Sequence, residues 1–198
     1  IGERFVVVPS WVEYEVPENR LPLYLDPGMA FGTGLHATTR LCLIAMESQQ
    51  VSGARVLDVG TGSGILSIGA ALLGAAHIDA IDVDPVCVQV TQENIVRNDV
   101  ADAISVSRAT LPGRARTGLP YHEGGPYDLL LINILAEIII DMAVSLPGYL
   151  KPGGICIASG ILADKSQMVQ DALAAEGLSI LQEMQQEGWV ALVAERPA

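Results

Sequence analysis

From Arg55 to the end of the chain, short runs of β-branched residues alternate with amphipathic helical stretches. This alternation constrains the fold most, because strand–helix–strand units place parallel strands in one sheet. The predicted strands are, in chain order, Arg55–Val59, His77–Asp82, Ile104–Ser107, Leu129–Ile134, Ile155–Ser159, Ser179–Glu187 and Trp189–Glu195. Only Gly188 separates the last two, which predicts an antiparallel hairpin. The pattern indicates an α/β protein with a doubly wound, Rossmann-like, mostly parallel sheet of seven strands.

Helices are predicted between these strands and before the first of them. Asp84 and Pro85 supply an N-cap and a first-turn proline for a helix that ends near Asn98. The other predicted helices are Thr38–Ser48, Gly64–Leu73, Ala136–Leu146 and Ala163–Glu176. The first 27 residues contain several prolines and one predicted strand, Phe5–Val8. We therefore divide the chain into an N-terminal arm or linker, residues 1–27, and a main domain, residues 28–198.

Charge and composition limit the partners of the chain. Lysine and arginine number 11 against 23 acidic residues, a formal net charge of −12. Nucleic acids are held by an excess of basic residues, so we expect no direct nucleic-acid binding and a basic partner instead. The sequence contains no run of about 18 uncharged apolar residues, so it predicts no membrane span.

The cysteines and the lack of a large apolar patch indicate the compartment and the oligomeric state of the chain. Cys42, Cys87 and Cys156 have no metal-ligand spacing, and each lies in an apolar context. They predict reduced thiols that pack as small apolar side chains, a cytoplasmic protein and no metal site. Because no large apolar patch is evident in the sequence, we also expect a monomer.

Residues 56–64, VLDVGTGSG, run from a strand through a glycine-rich turn into a helix. Glycines let the backbone approach a ligand, and the helix N-terminus offers unpaired N–H donors. Asp82 ends the second strand, where a carboxylate can accept both hydroxyl protons of a ribose. Together these features predict a nucleoside-binding site. Asp84 is an alternative ribose ligand, although its place before Pro85 favours helix capping.

The glycine spacing separates two classes of nucleoside cofactor. The dinucleotide fingerprint needs its third glycine at position 65, which is Ile65. Glycines at 60, 62 and 64, together with the terminal hairpin, resemble the class I S-adenosylmethionine-dependent methyltransferases. The resemblance implies S-adenosylmethionine as the cofactor. It also implies cofactor-binding positions at Asp58, Gly60, Thr61, Gly62 and Asp82.

Two further segments narrow the resemblance: residues 25–39, LDPGMAFGTGLHATT, and residues 133–136, NILA. With these motifs and residues 8–11, VPSW, the chain resembles the ribosomal protein L11 methyltransferase family over essentially its whole length. The resemblance implies methyl transfer to lysine side chains or the N-terminal α-amine of a basic ribosomal protein. That family usually carries a separate N-terminal domain that captures the ribosomal protein, and we expect this chain to lack it.

The resemblance also implies roles for residues of these segments. Thr39 contacts the cofactor; the alternative is that Thr38 and Thr39 only cap the next helix. On physical grounds we expect the glycine-rich loop from Phe31 to His36 to close over the sulfonium end of the cofactor, and His36 to steer the amine or accept its proton. We expect Phe31, Ile134 and Leu135 to line an apolar pocket for the amine. The alternative for His36 is a structural role. Asn133 contacts the cofactor and orients the target nitrogen; the alternative is that it caps the following helix.

Other functions stay open from the sequence alone. The nearest is a lysine methyltransferase for another protein, such as an electron-transfer flavoprotein subunit. A nucleotide-binding dehydrogenase domain and a non-catalytic binding module are the others, and Ile65 counts against the dehydrogenase. No Asn-Pro-Pro-Tyr segment begins at Asn133, which argues against methylation of DNA adenine or glutamine amides. Glu137 is a candidate proton acceptor, but an acid in the first turn of a helix is favourable by itself.

Overall fold

A large sheet organises the computed structural model of the chain, which describes residues 1–9, 11–25, 36–115 and 118–198. The described strands are β1 (Phe5–Val8), β2 (Leu21–Tyr24), β3 (Arg55–Val59), β4 (His77–Asp82), β5 (Ile104–Arg108), β6 (Tyr127–Asn133), β7 (Leu150–Leu162), β8 (Ser179–Gln186) and β9 (Trp189–Glu195). The last seven form one sheet in the order β5-β4-β3-β6-β7-β9-β8. Every neighbouring pair is parallel except the two that β9 makes. The predicted seven-stranded α/β fold is confirmed.

Helices cover both faces of this sheet. They are α1 (Ala37–Glu47), α2 (Ile65–Leu72), α3 (Pro85–Arg97), α4 (Ala136–Met142), α5 (Leu146–Tyr149) and α6 (Ser166–Ala175). Side chains of α1, α2 and α3 pack in one apolar cluster, and those of α4, α5 and α6 pack in a second. Alternate residues of the strands supply the two clusters: Val56 belongs to the first and Leu57 to the second. The sheet is therefore buried on both faces, as its near-continuous apolar strands predict.

The helix predicted over Ala136–Leu146 is interrupted in the structure. A 3-10 turn, Ala143–Ser145, separates α4 from α5. Pro147 has no N–H to donate to the carbonyl of Ala143, and the N–H of Leu146 bonds that carbonyl instead. The predicted helix end at Leu146 is wrong because Pro147 lies in the first turn of a new helix, α5, and does not simply end the preceding one.

The β7 strand is longer than predicted. It begins at Leu150 rather than at Ile155 and extends to Leu162. The register between β6 and β7 shifts between Tyr127 and Leu129, which accommodates the intervening Pro and Gly residues. Those residues are typical of turns, so the sequence alone predicted a loop there.

The terminal hairpin is confirmed. Gln186 and Trp189 face each other across a two-residue turn made by Glu187 and Gly188. Both turn residues have positive φ, 52° and 79°, the left-handed conformation that matches the twist of a tight hairpin.

The N-terminal arm packs on the main domain. Strand β1 has the predicted bounds, and β2, which contains Pro22 and was not predicted, pairs with it in parallel. Phe5, Leu23 and Leu25 are buried in the apolar cluster that contains α1 and α2. The predicted boundary at 27 and 28 lies outside the described residues, so the division stays a prediction. None of the described helices has the length and apolarity needed to cross a membrane.

Candidate active site

The glycine loop after β3 is held in place by side chains from two other elements. An Asp82 oxygen accepts a hydrogen bond from the Gly62 N–H at 2.9 Å. From α3, Thr91 donates to the carbonyl of Gly62 at 3.0 Å, and Asn94 donates to the carbonyl of Ser63 at 2.8 Å. Thr91 and Asn94 are buried and were missed from the sequence, although their i, i+3 spacing marks one face of the helix. The loop conformation is therefore fixed before any ligand arrives.

Asp58 stabilises the same loop from behind. Its carboxylate is buried and accepts hydrogen bonds from the hydroxyls of Thr61 at 2.8 Å and Ser67 at 2.6 Å. Burial raises the pKa of Asp58 to about 6, although the two hydroxyls oppose that shift. Asp58 is not among the residues that line the adjacent cavity, and its predicted contact with a cofactor stays a prediction.

A cavity of about 240 Å³ lies at the carboxyl ends of β3, β4 and β6. This is where the strand order of an open α/β sheet reverses and where such sheets bind ligands. Most of the predicted cofactor-binding residues meet in its wall: Thr39, Gly60, Thr61, Gly62, Asp82 and Asn133. The wall also contains Ile134, a predicted pocket residue, and residues that the sequence did not assign to a site, among them Val83, Thr110 and Ile138. We call it the cofactor cavity.

Gly60 is required where the loop passes β6. Its φ is +73°, and a Cβ there would lie 2.4 Å from Cγ2 of Ile134. A side chain would be strained and would collide with the cavity wall, so only glycine allows this approach.

The carboxylate of Asp82 is anchored by backbone groups and still reaches the cofactor cavity. One oxygen bonds Gly62, as described, and the other accepts from the N–H of Asp84 at 2.9 Å. Each carboxylate oxygen has a second lone pair for a ligand. Asp84 itself caps α3 by accepting from the N–H of Val86 at 2.8 Å, which supports the capping interpretation.

A second cavity, of about 540 Å³, adjoins the first. The two share three wall residues, Asn133, Ile134 and Ile138. The second is completed by His36, Thr38, Leu135, Gly160 and Trp189, and most of its wall is apolar. We call it the acceptor cavity.

Among the described residues, two polar atoms in these walls lack a hydrogen-bond partner. Oγ1 of Thr39 and Oδ1 of Asn133 are buried and make no hydrogen bond with any described residue. An unmade bond at a buried polar atom costs about 1–3 kcal/mol, so both atoms fit a ligand that supplies the partner. Asn133 is not a helix cap, because the N-cap of α4 is Leu135 and makes no side-chain cap bond.

The start of α1 differs from the prediction. Thr38 and Thr39 do not cap the helix; His36 does, accepting from the N–H of Thr38 at 3.3 Å. The helix begins at Ala37, one residue earlier than predicted, which leaves both threonines inside its first turn. The His36 ring also packs edge-on against Trp189, with ring centroids 4.8 Å apart. His36 therefore lies in the acceptor cavity and has a structural contact there.

The remaining predicted residues fall into three groups. Phe31 and the rest of its loop up to residue 35 lie outside the described residues. Glu137 forms an ion pair with Lys165 at the surface, in agreement with a stabilising role. Cys42 and Cys156 are buried as predicted, but Cys87 lines the cofactor cavity, where burial, followed by the charge of Asp82, raises its pKa to about 11.

Fold and site together define a class. A mostly parallel seven-stranded sheet with a terminal antiparallel hairpin, a glycine loop after β3 and an acid at the end of β4 are the features of a class I methyltransferase fold. A crystal structure of a methyltransferase from Pyrococcus furiosus shares this fold, with a TM-score of 0.67 at 17% identity over 89% of this chain and 90% of that one.

Sequence comparison defines the family within that class. The model of the ribosomal protein L11 methyltransferase (PrmA) family matches residues 1–197, and the chain belongs to this family. A ribosomal protein L11 methyltransferase from Symbiobacterium thermophilum is 47% identical over 197 residues, covering 100% of this chain and 62% of that protein. One from Chloroflexus aurantiacus is 44% identical over 213 residues, covering 100% of this chain and 65% of that protein.

A solved structure agrees with this assignment. The crystal structure of a ribosomal protein L11 methylase from Lactobacillus delbrueckii subsp. bulgaricus has a TM-score of 0.88 and 33% identity, covering 100% of this chain and 97% of that one. The chain spans a little over three fifths of the length of the curated relatives named above.

Proposed function

We propose that this chain transfers methyl groups from S-adenosylmethionine to amino groups of ribosomal protein L11. The observation that carries the proposal is the pair of cavities that meet at Asn133. One cavity offers the polar groups that a nucleoside requires, and the other is mostly apolar with an amide oxygen at the junction. The family membership supports the choice of methyl transfer and of the acceptor protein.

The residues of the cofactor cavity fit S-adenosylmethionine. Asp82 offers lone pairs to the ribose hydroxyls, and the unpartnered hydroxyl of Thr39 offers a further polar contact. The backbone of Gly60, Thr61 and Gly62 lines the same wall, with Asp58 holding it from behind. When bound, this cofactor supplies an electrophilic methyl group on a sulfonium centre.

The acceptor amine must lose a proton before it can react. For a lysine with pKa about 10.4, deprotonation at pH 7 costs roughly 4.6 kcal/mol; an α-amine costs only about 1–1.4 kcal/mol. The apolar side chains of Ile134, Leu135 and Ile138 lower an amine pKa by penalising its charged form. In this proposal they reduce the cost for lysine.

Asn133 orients the nucleophile in this proposal. Its unpartnered Oδ1 accepts an N–H of the amine, which directs the nitrogen lone pair toward the cofactor cavity. Alignment of this kind is the main requirement of an in-line displacement that has a good leaving group. His36, which also lines the acceptor cavity and whose Nδ1 lies 2.8 Å from the Thr38 hydroxyl, steers the amine.

The net charge of −12 supports a basic protein as the partner and argues against nucleic acid. In this proposal the chain acts in the cytoplasm as a monomer, with residues 1–27 as an arm on the catalytic domain. Size-exclusion chromatography with light scattering tests the monomer directly.

Mass spectrometry tests the reaction. Ribosomal protein L11 is incubated with the chain and S-adenosylmethionine, and its intact mass is followed over time. Gains in methyl steps are expected with the native chain and strongly slowed gains with Asn133→Ala. No gain with the native chain would contradict the proposal, and gains only on an electron-transfer flavoprotein subunit offered in parallel would favour that substrate instead.

A further inference from the structure

One aromatic side chain, Trp189, forms a wall of the acceptor cavity. It is the first residue of β9, directly after the hairpin turn of Glu187 and Gly188. The chain has two tryptophans, and the other, Trp11, is 65% exposed on the arm. Sequence patterning assigned Trp189 only to a strand.

Four structural elements fix the position of Trp189. Its backbone pairs with Leu162 of β7 and with Gln186 of β8. The preceding carbonyl, of Gly188, accepts a hydrogen bond from the N–H of Ala163 at 2.9 Å. On the α1 side, His36 packs against the ring, and an Arg40–Glu187 ion pair ties the turn to the helix. The indole is therefore held in the cavity wall before an acceptor binds.

We propose that Trp189 is a specificity-determining contact for the acceptor, packing against the methylenes of a lysine side chain and facing its ammonium group. The inference rests on the proposed function and assigns to Trp189 a preference for lysine side chains over an α-amine. An α-amine has no methylene chain to place on the ring.

The composition of the cavity explains why an aromatic contact suits this task. No Asp or Glu is among the described residues that line the acceptor cavity. A carboxylate would bind the ammonium group but would also raise its pKa and oppose the loss of its proton. The π-face of an indole also attracts a cation, but more weakly than a carboxylate does. Trp189 therefore holds the charged side chain without strongly opposing its deprotonation.

Kinetics with ribosomal protein L11 tests the contact. Trp189→Leu is expected to raise KM for L11 roughly tenfold, which corresponds to about 1.4 kcal/mol of lost binding. Trp189→Phe, which keeps a ring, is expected to stay within about threefold of the native chain. Trp11→Leu is the matched control and should leave KM unchanged. Affinity for S-adenosylhomocysteine, measured by calorimetry, should be the same in all variants, because Trp189 does not line the cofactor cavity.

A purely structural role predicts a different outcome. Loss of packing alone would slow methylation of every amino group equally, whereas the proposed contact predicts a larger loss at lysine side chains than at the α-amine. Peptide mapping by mass spectrometry measures that ratio. An unchanged KM in Trp189→Leu, or an equal loss at both kinds of amine, overturns the inference.

Fluorescence gives a readout that does not depend on turnover. In a Trp11→Phe background Trp189 is the single tryptophan, so its emission reports on the acceptor cavity. With S-adenosylhomocysteine bound, titration with N-acetyl-lysine methylamide should give a saturable change, and N-acetyl-alanine methylamide should give none. No change with the lysine compound overturns the inference. Failure of the proposed function is distinct: it is seen as native chain that does not bind S-adenosylhomocysteine or methylate L11.

Discussion

The two adjoining cavities of this protein are built from opposite kinds of contact. The cofactor cavity stands on a loop tied down by buried hydrogen bonds from Asp82, Thr91 and Asn94. The acceptor cavity is enclosed by apolar side chains, and the ion pairs near it, Arg40–Glu187 and Lys165–Glu137, have exposed partners. One side is rigid through buried polar contacts, and the other relies on shape and apolar surface.

The difference follows from what each ligand must do. A nucleoside keeps its hydroxyls throughout a reaction, so fixed acceptors bind it without rearrangement. An acceptor amine must give up its charge, and each added polar partner for the ammonium form would make that harder. Buried bonds to charged groups contribute about 1.5–3 kcal/mol each, whereas exposed ion pairs contribute about 0–1 kcal/mol. Substitutions on the two sides should therefore differ in the size of their effects and in the property that they change, either cofactor affinity or methylation kinetics.

The largest effect is expected on the cofactor side, at Asp82. Asp82→Ala removes the predicted ribose acceptor and the support of the Gly62 N–H. Two lost bonds to the ribose hydroxyls, of about 2 kcal/mol each, correspond to roughly a thousandfold weaker binding of S-adenosylhomocysteine in calorimetry. Asp84→Ala is the matched control, because it removes only a helix cap and should leave the affinity within about threefold. Equal affinities in both variants would rule out Asp82 as the ribose ligand.

Asn133 lies on the boundary between the two cavities, and its variant should separate binding from chemistry. Asn133→Ala is expected to lower kcat about a hundredfold through lost alignment of the amine. Affinity for S-adenosylhomocysteine should change by less than about tenfold, since Asp82 and the glycine loop are intact. Single-turnover methylation of L11 measures the first and calorimetry the second. A native rate in this variant would remove Asn133 from the mechanism.

Asp58 tests the rigidity of the cofactor side through pH. Burial raises its pKa from 3.8 to about 6, so the native state keeps a proton that the unfolded state releases between those values. Stability must then fall as pH rises through this window, by about 3 kcal/mol in total and by roughly half of that between pH 5 and pH 7. Denaturant unfolding of the native chain and of Asp58→Asn measures it. The difference in unfolding free energy should move by about 1 to 2 kcal/mol in favour of Asp58→Asn from pH 5 to pH 7, and a constant difference would contradict the raised pKa.

The smallest effect is expected at the surface, at Glu137, which precedes Ile138 of the acceptor cavity in sequence. Glu137 pairs with Lys165 there, so Glu137→Gln should change kcat/KM by less than about twofold and leave stability almost unchanged. Methylation kinetics and denaturant unfolding check both expectations. A tenfold loss of kcat in this variant would instead make Glu137 the proton acceptor and give the acceptor side a polar group essential for catalysis.

Sequence reasoning predicted the cofactor side better than the acceptor side. Gly60 and Gly62 were predicted from a local motif and Asp82 from the end of a strand, and the motif and the strand end lie on one short stretch of chain. The acceptor cavity combines α1, the β6–α4 junction and the start of β9, three segments far apart in sequence. Trp189, which completes its wall, had no local signal beyond strand propensity, whereas His36, Asn133, Ile134 and Leu135 were predicted near the acceptor.

The sequence also predicted the wrong N-cap for α1, where more than one neighbouring residue could cap the helix. Threonine is a better N-cap than histidine by propensity, yet the chain turns into the helix at Ala37 and leaves His36 at the cap. For α3 the sequence predicted only the start and the end of the helix, whereas the structure shows Thr91 and Asn94 bonding the glycine loop.

From Arg55 onward, the sequence by itself determined the alternation of strands and helices along the chain. It also determined the glycine loop, the acid at the end of β4 and the terminal hairpin. Each of these depends on residue periodicity or on backbone preferences that act over a few neighbours. The tertiary structure decided which buried oxygens were left without partners and which apolar side chains met across the sheet. Those properties depend on distances between segments that lie tens of residues apart, and no local preference specifies such distances.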